Sequence, residues 1–282
     1  MKPFFSASLV IFSLCKASDG FSQLPIKPAR TISFTTEEGT NMSVDISPDG
    51  KTLVFDLLGD LYTLPATGGE ATQITRGLAM NRCPIWSPDG KKIAYYSDYS
   101  GSMHLNVRNV SGSFHRVLDW SAGNHDGGVP VWTPDGHFVV ADRSIYSIVG
   151  VGQDISYKFN PLLRLTNDGA SAYYFQQDTL YCENLVHHTR FPLTSSIRTY
   201  GIYFALSPDA RWLAYTTDSN SNKCLVLKDL TTHKDRLLVP ALFRKYPYYR
   251  AFVPCHFCFS PDSKYMYVGY GGKIHRINIE TN

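Results

Sequence analysis

The sequence predicts an all-β chain folded as a six-bladed β-propeller of four-stranded antiparallel blades. Three observations predict it. A turn motif recurs five times, as SPDG at Ser47–Gly50 and Ser87–Gly90, TPDG at Thr133–Gly136, SPDA at Ser207–Ala210 and SPDS at Ser260–Ser263. Short apolar strands flank each copy. The 282 residues hold 18 Tyr and 16 Phe and lack long Ala/Leu/Glu/Lys runs, a bias towards β-structure.

Each element of a repeat has its own reason. An apolar strand such as Cys83–Trp86 enters the turn. There Pro fixes φ near −65°, Asp bonds nearby backbone N–H groups, and Gly accepts positive φ. The return strand, KKIAYYSD, sets Ile93 and Tyr95 on one face. A third strand follows, as in Asp60–Pro65, and after a Gly-rich turn a fourth, Ala71–Thr75. HRVLD, LLRLT, RFPLT and DRLLV are expected to be further fourth strands. Four strands every 40–50 residues are propeller blades. A β-sandwich of unrelated hairpins needs no such recurring turn.

The copies place blades around positions 47, 87, 133, 207 and 260, with a 74-residue gap between the third and fourth motifs. Phe175–Thr194 echoes Phe55–Thr75 and supplies a degenerate sixth blade near 175, read as having lost its SPDG turn. The last blade shows three strands before Asn282. Ala29–Thr36 is a candidate fourth strand closing the ring, since an unpaired edge is a liability; the alternative is a strand beyond Asn282.

Residues 1–22 read as a secretory signal and 23–282 as the propeller. Lys2 precedes an apolar run, Pro3–Cys15, which is short for a ~30 Å hydrocarbon core, so no membrane span is expected. Cleavage is expected after Ala17, or alternatively near Ser22. Leu14 is large for the residue preceding a lipidated cysteine. The chain is therefore expected to be exported, periplasmic or extracellular. A formal charge of +3 without a basic block argues against nucleic acid as a partner. Five cysteines outside the signal, at scattered spacing, do not define a disulfide framework.

The (S/T)PDG blades resemble the TolB-like WD-type repeats of exported bacterial propellers, over roughly Arg30 to Asn282. Three stretches are most similar to the N-terminal propeller of exported amidohydrolase-family proteins. They are TISFTTEEGTNMSVDISPDGKTLVFDLLGDLYTLPATGGEATQITRG, SPDARWLAYTTD and FSPDSKYMYVGYGGKI. That resemblance implies a C-terminal metal-dependent hydrolase domain, which this sequence does not contain. CHFC at Cys255–Cys258 and the compressed fourth blade depart from the family pattern.

No catalytic residues are found. HxH, HExxH, GxSxG and phosphate-loop motifs are lacking, and no metal site or cofactor is expected. CHFC places its cysteines on opposite faces of a strand, favouring buried thiols over zinc or redox chemistry. His187–His188 fits a solvated turn. DSNSNK (Asp218–Lys223) starts like a calcium loop but has Lys223 where Gly is needed, so a polar hairpin is the better reading. The SPDG turns should share one face and the irregular loops Arg76–Arg82, Trp120–Gly128, Ser195–Tyr200 and Pro240–Val253 the other. Candidate binding residues on that second face are Tyr248, Tyr249 and Arg250, then Trp120, His125, Asp126 and Arg82, because Tyr, Trp and Arg anchor recognition surfaces. The function expected is non-catalytic recognition of an envelope protein, peptide or glycan. The alternative is the substrate-filtering propeller of a truncated exported amidohydrolase. The sequence does not set the oligomeric state.

Overall fold

The computed structural model describes residues 34–39, 42–118, 129–141, 144–149, 163–166, 168–176, 179–194, 203–219, 222–244 and 256–281. The described residues form six separate antiparallel meanders and no helix. Blade 1 comprises β1 (Val44–Ile46), β2 (Thr52–Leu57), β3 (Asp60–Pro65) and β4 (Thr72–Gln73). Blade 2 comprises β5 (Asn81–Trp86), β6 (Lys92–Ser97), β7 (His104–Asn109) and β8 (His115–Val117). Blade 3 shows β9 (Val131–Trp132), β10 (Phe138–Ala141) and β11 (Ser144–Ser147). Blade 4 has β12 (Leu163–Leu165), β13 (Ser171–Gln176), β14 (Thr179–Asn184) and β15 (Thr189–Thr194). Blade 5 has β16 (Phe204–Leu206), β17 (Trp212–Ser219), β18 (Asn222–Asp229) and β19 (Asp235–Arg244). Blade 6 shows β20 (Cys258–Phe259), β21 (Tyr265–Tyr270) and β22 (Lys273–Asn278).

The second strand of a blade is packed on both faces, which is why it reads as a nearly continuous apolar run. In β6, Ile93 and Tyr95 pack with Val54, Leu61 and Trp86 in the seam between blades 1 and 2. Ala94 and Tyr96, pointing the other way, join Trp132 and Val139 of blade 3. Equivalent clusters fill every seam. Val140 and Ala172 meet between blades 3 and 4, and Tyr173, Leu180, Phe204 and Leu213 between blades 4 and 5. Ala214 and Leu225 share a cluster with Phe259 and Met266 across blades 5 and 6. Val44 and Phe55 meet Cys258 and Tyr267 across blades 6 and 1, so the ring closes. Val44 N donates to His256 O at 3.1 Å across that last seam.

Closure also involves the chain before β1. Gly39 N donates to Gly272 O, 2.6 Å away in the β21–β22 turn. Met42 crosses the middle strand of blade 6 so closely that a Cβ on Gly269 would lie 2.5 Å from Met42 O, so only glycine fits there. Residues 34–36 of the expected latch strand are not in a strand, and its remainder lies outside the described residues.

The recurring turn explains itself in hydrogen bonds. Ser47 Oγ donates to Asp49 Oδ1 (2.6 Å), while Thr52 N donates back to Ser47 Oγ (2.9 Å). Lys51 N donates to the same Asp49 oxygen (3.1 Å), and Gly50 N donates to Ser47 O (2.8 Å). The hydroxyl–carboxylate bond recurs at Ser87–Asp89, Thr133–Asp135, Ser207–Asp209 and Ser260–Asp262.

It recurs a sixth time, and this corrects the reading of blade 4. Thr166 Oγ1 donates to Asp168 Oδ1 (2.6 Å), and Gly169 takes φ +69°. The degenerate blade therefore keeps its turn as Thr166–Gly169, with Asn167 in place of proline. LLRLT is consequently the first strand of blade 4, not a fourth strand of the blade before it.

Candidate recognition face and channel

Because every blade is a meander, the turns joining first to second strands and third to fourth strands emerge together. The turns joining second to third strands, and the links between blades, emerge at the opposite end. The turn motifs touch one another around the first of these ends. A methyl placed on Gly50 would lie 3.6 Å from Pro261 of blade 6. On Gly90 it would lie 3.5 Å from Pro48, on Gly136 3.7 Å from Pro88, and on Gly169 3.7 Å from Pro134. Asp209 N donates to Ser263 Oγ (3.2 Å) between blades 5 and 6.

The hydroxyls and carboxylates of this turn face are bonded to one another within it. The hydroxyl bonds of Ser47, Thr133, Thr166 and Ser260 hold the carboxyls of Asp49, Asp135, Asp168 and Asp262 below the usual carboxylate range. They bind their own turns and have little left to offer a ligand.

The inner strands bring different chemistry to the axis. Two positions before each turn hydroxyl stand Asp45, Ile85, Val131, Arg164, Ala205 and Cys258 in blades 1 to 6. In a six-membered ring, blades 1 and 4 face each other, so one anion and one cation oppose across the channel. Asp45 Oδ2 accepts from Trp86 N of blade 2 (2.7 Å), and its Oδ1 lies 3.8 Å from His256 Nε2 of blade 6. The Arg164 guanidinium lies 5.1 Å from the Phe204 ring centre. Burial pushes its pKa down to about 10, the Asp45 charge working against the shift, so it remains a cation at neutral pH. Burial, with Asp45 adding to it, raises the Cys258 thiol well above its ordinary value.

A second carboxylate ties blade 1 to blade 2 nearer the loop face. Asp56 is buried and accepts from Ser43 N (2.7 Å) and from Cys83 N (2.8 Å) across the seam. Cys83 sits at a β-bulge of β5 with φ +53°, which aims its N–H at the carboxylate. Burial pushes the Asp56 carboxyl up to about 6, the two N–H bonds and Arg82 opposing it.

Of the residues expected from sequence, Arg82 is placed, partly buried at the loop-face end of β5. Its Nε is buried and has no hydrogen-bond partner among the described residues. Trp120, His125, Asp126, Tyr248, Tyr249 and Arg250 lie outside the described residues. Pro240–Arg244 is strand, not loop, because β19 runs on to Arg244 beside β18. His187 and His188 are exposed in the β14–β15 turn; of the Asp218–Lys223 stretch, Asp218 pairs with Lys223 and Ser219 with Asn222 across β17 and β18, and the two residues between lie outside the described residues. Cys258 is a buried strand thiol, while Cys255 lies outside the described residues. Among the described residues no group of three or more His, Cys, Asp or Glu is placed to hold a metal, and no helix is long and apolar enough to cross a membrane.

Sequence reasoning missed Asp45, Asp56, Arg164 and His256. The signal was present for two of them. When the six copies are aligned on the turn hydroxyl, Asp45 and Arg164 are the only charged residues at a position otherwise occupied by Ile, Val, Ala or Cys.

Comparison with known proteins fits this architecture. Over 83 residues the chain is 34% identical to an uncharacterized protein of Agrobacterium fabrum, covering 28% of each chain. Over 70 residues it is 36% identical to dipeptidyl-peptidase 5 of Porphyromonas gingivalis, covering 21% of this chain and 10% of the peptidase. These matches therefore span well under half of the curated relatives. Among solved structures, a protein assigned as TolB in Agrobacterium tumefaciens superposes with a TM-score of 0.61 at 20% identity, over 87% of this chain and 93% of that one. TolB from Acinetobacter baumannii gives 0.58 at 18% identity, over 73% and 55%. The tricorn protease gives 0.62 at 14% identity, over 86% of this chain and 26% of the protease. Such identities show a shared fold alone. The family model for the TolB β-propeller domain matches residues 19–171, more than half of the sequence, and the chain belongs to that family.

Proposed function

We propose that the chain is a non-catalytic, exported recognition propeller of the cell envelope. It takes a protein, peptide or glycan on the loop face and at that end of the channel. One observation carries this reading. The turn face spends its hydroxyls and carboxylates on its own six turns, whereas the links between blades, with Arg82 beside one of them, gather at the opposite end. A recognition surface needs polar groups still available for a partner and anchors such as Arg and Tyr. Tyr248, Tyr249 and Arg250 are the proposed anchors, with Trp120, His125, Asp126 and Arg82 as supporting contacts. Family membership, together with the apolar leader at residues 3–15, supports export and removal of residues 1–22.

The test is capture of a partner from envelope extract by immobilised protein. Wild type and a turn-face variant (Lys51→Ala with Lys91→Ala) should retain the same cross-linked species. Arg82→Ala and the triple variant Tyr248→Ala/Tyr249→Ala/Arg250→Ala should lose it. Loss through the turn-face changes would refute the assignment.

A second reading is favoured by the likeness to dipeptidyl-peptidase 5 and to the tricorn protease. In it the propeller filters substrate for a hydrolase, of the amidohydrolase class that the sequence resembles. Reading frame beyond Asn282 that encodes a metal-binding HxH pair would favour this alternative.

A further inference from the structure

The first strands of the blades carry one pair of opposite charges that the ring does not need. Two positions before the turn hydroxyl, blades 2, 3, 5 and 6 use Ile85, Val131, Ala205 and Cys258. Blade 1 has Asp45 there and blade 4 has Arg164. Four copies of six thus close their seams without an ion at this level. Burying an ion costs free energy that an apolar residue avoids. Both ions are largely desolvated: the Asp45 side chain is 17% exposed, and burial lowers the Arg164 pKa to about 10. Charges kept at that cost, where the repeat itself offers an apolar alternative, mark a site rather than a scaffold.

The two groups address one channel rather than two separate seams. Blades 1 and 4 stand opposite in the ring, and the Asp45 charge still acts on Arg164 across it. Asp45 is held from both neighbouring blades. It accepts from Trp86 N (2.7 Å) and from the Cys258 thiol, while its Oδ1 lies 3.8 Å from His256 Nε2, beyond hydrogen-bond length. A carboxylate offers about four lone-pair sites, so Asp45 can still accept from an ammonium. On the other side the Phe204 ring lies 5.1 Å from the Arg164 guanidinium and fixes its place. The planar fork of that guanidinium matches the geometry of a carboxylate.

The signs select the ligand. A simple anion drawn to Arg164 would be repelled by Asp45, and a simple cation drawn to Asp45 would be repelled by Arg164. A molecule with opposite charges at its two ends satisfies both groups, and Ile85, Val131 and Ala205 supply apolar wall at the same level for the body between. We propose that the channel between Asp45 and Arg164 binds a small zwitterion, an amino acid or short peptide with both ends free, its ammonium on Asp45 and its carboxylate on Arg164. Walls of low dielectric strengthen both contacts relative to water. This goes beyond the recognition reading above and needs no envelope partner for its test.

Titration calorimetry of the purified chain with alanine, dialanine and trialanine reads this directly. At least one should bind saturably, at one site per chain. Acetylating the amine of that ligand, or amidating its carboxylate, should each weaken binding ~30-fold or more, as when one partner of a buried charge pair is removed. Asp45→Asn, which keeps an oxygen for Trp86 N, and Arg164→Gln should do the same. Asp56→Thr, in a second strand away from the axis, should leave binding unchanged. No binding by any of the three ligands would overturn the proposal. So would a ligand indifferent to acetylation, which would make the site one for a carboxylate alone, or binding that survives both Asp45→Asn and Arg164→Gln. Zwitterion binding by a chain that captures no envelope partner would support this inference while removing the recognition reading.

Discussion

Ala210 occupies the last position of the blade 5 turn with φ +56°, where blades 1 to 4 place glycines at φ +67° to +72°. Left-handed backbone costs an L-residue roughly 1–2 kcal/mol. Glycine avoids that cost but loses about 0.5–1 kcal/mol more than alanine in unfolded-state entropy. Ala210→Gly should therefore stabilise the protein by ~0.5–1 kcal/mol. The reverse change at Gly90 isolates the same effect, since a methyl there would meet Pro48 Cδ at 3.5 Å, an ordinary contact. Gly90→Ala should lower stability by about as much. At this chain length 1 kcal/mol corresponds to about 2–4 °C, so the two variants should melt on either side of wild type by ~1–4 °C. Ser263→Gly is the control. It relieves φ +58° but removes the hydroxyl that accepts from Asp209 N, so its net change should be near zero. Scanning calorimetry at neutral pH reads all three. A destabilised Ala210→Gly, or an unchanged Gly90→Ala, would refute the claim that backbone sign rather than packing selects glycine in these turns.

Asp56 should make the blade 1–2 seam sensitive to pH. Its folded pKa of about 6 exceeds the ordinary 3.8, so the penalty for its buried charge is absent below pH ~4 and complete above pH ~6.5. Wild type should thus lose up to about 3 kcal/mol relative to Asp56→Thr as pH rises through that window. Blade 5 shows that threonine can serve the matching position, since Thr216 Oγ1 accepts from Tyr203 N at 2.9 Å. Parallel urea-stability curves for the two proteins between pH 4.5 and 7.5 would sink this reading. The buried thiols of Cys83, Cys182, Cys224 and Cys258 should resist alkylation in the native protein and react once it is unfolded; rapid native labelling of Cys258 would contradict its raised pKa.

Much of the ring was legible because the turn chemistry is local. Serine or threonine, aspartate and glycine bond within six residues, so each copy announces itself in a single sequence. Blade 4 was misjudged for the same reason. Its Asn167 breaks the written motif, while Thr166, Asp168 and Gly169 still make the bonds that matter. Seam chemistry was not legible in that way. Asp56 finds Cys83 N, and Asp45 finds Trp86 N and His256, only after neighbouring blades pack. Arg164 reads locally as a polar residue in an apolar strand; its meaning depends on standing opposite Asp45. The extent of β19 was hidden because Pro240 interrupts the strand signal, though register shifts between β18 and β19 accommodate it.

The claim that recognition belongs to the loop face is tested most directly by hydrogen exchange of the protein with and without its captured envelope partner. The account predicts slowed exchange at residues 76–82 and across 245–253. It predicts unchanged exchange in the six turns at 47–50, 87–90, 133–136, 166–169, 207–210 and 260–263. Protection centred on those turns, with the loop face unaffected, would contradict it.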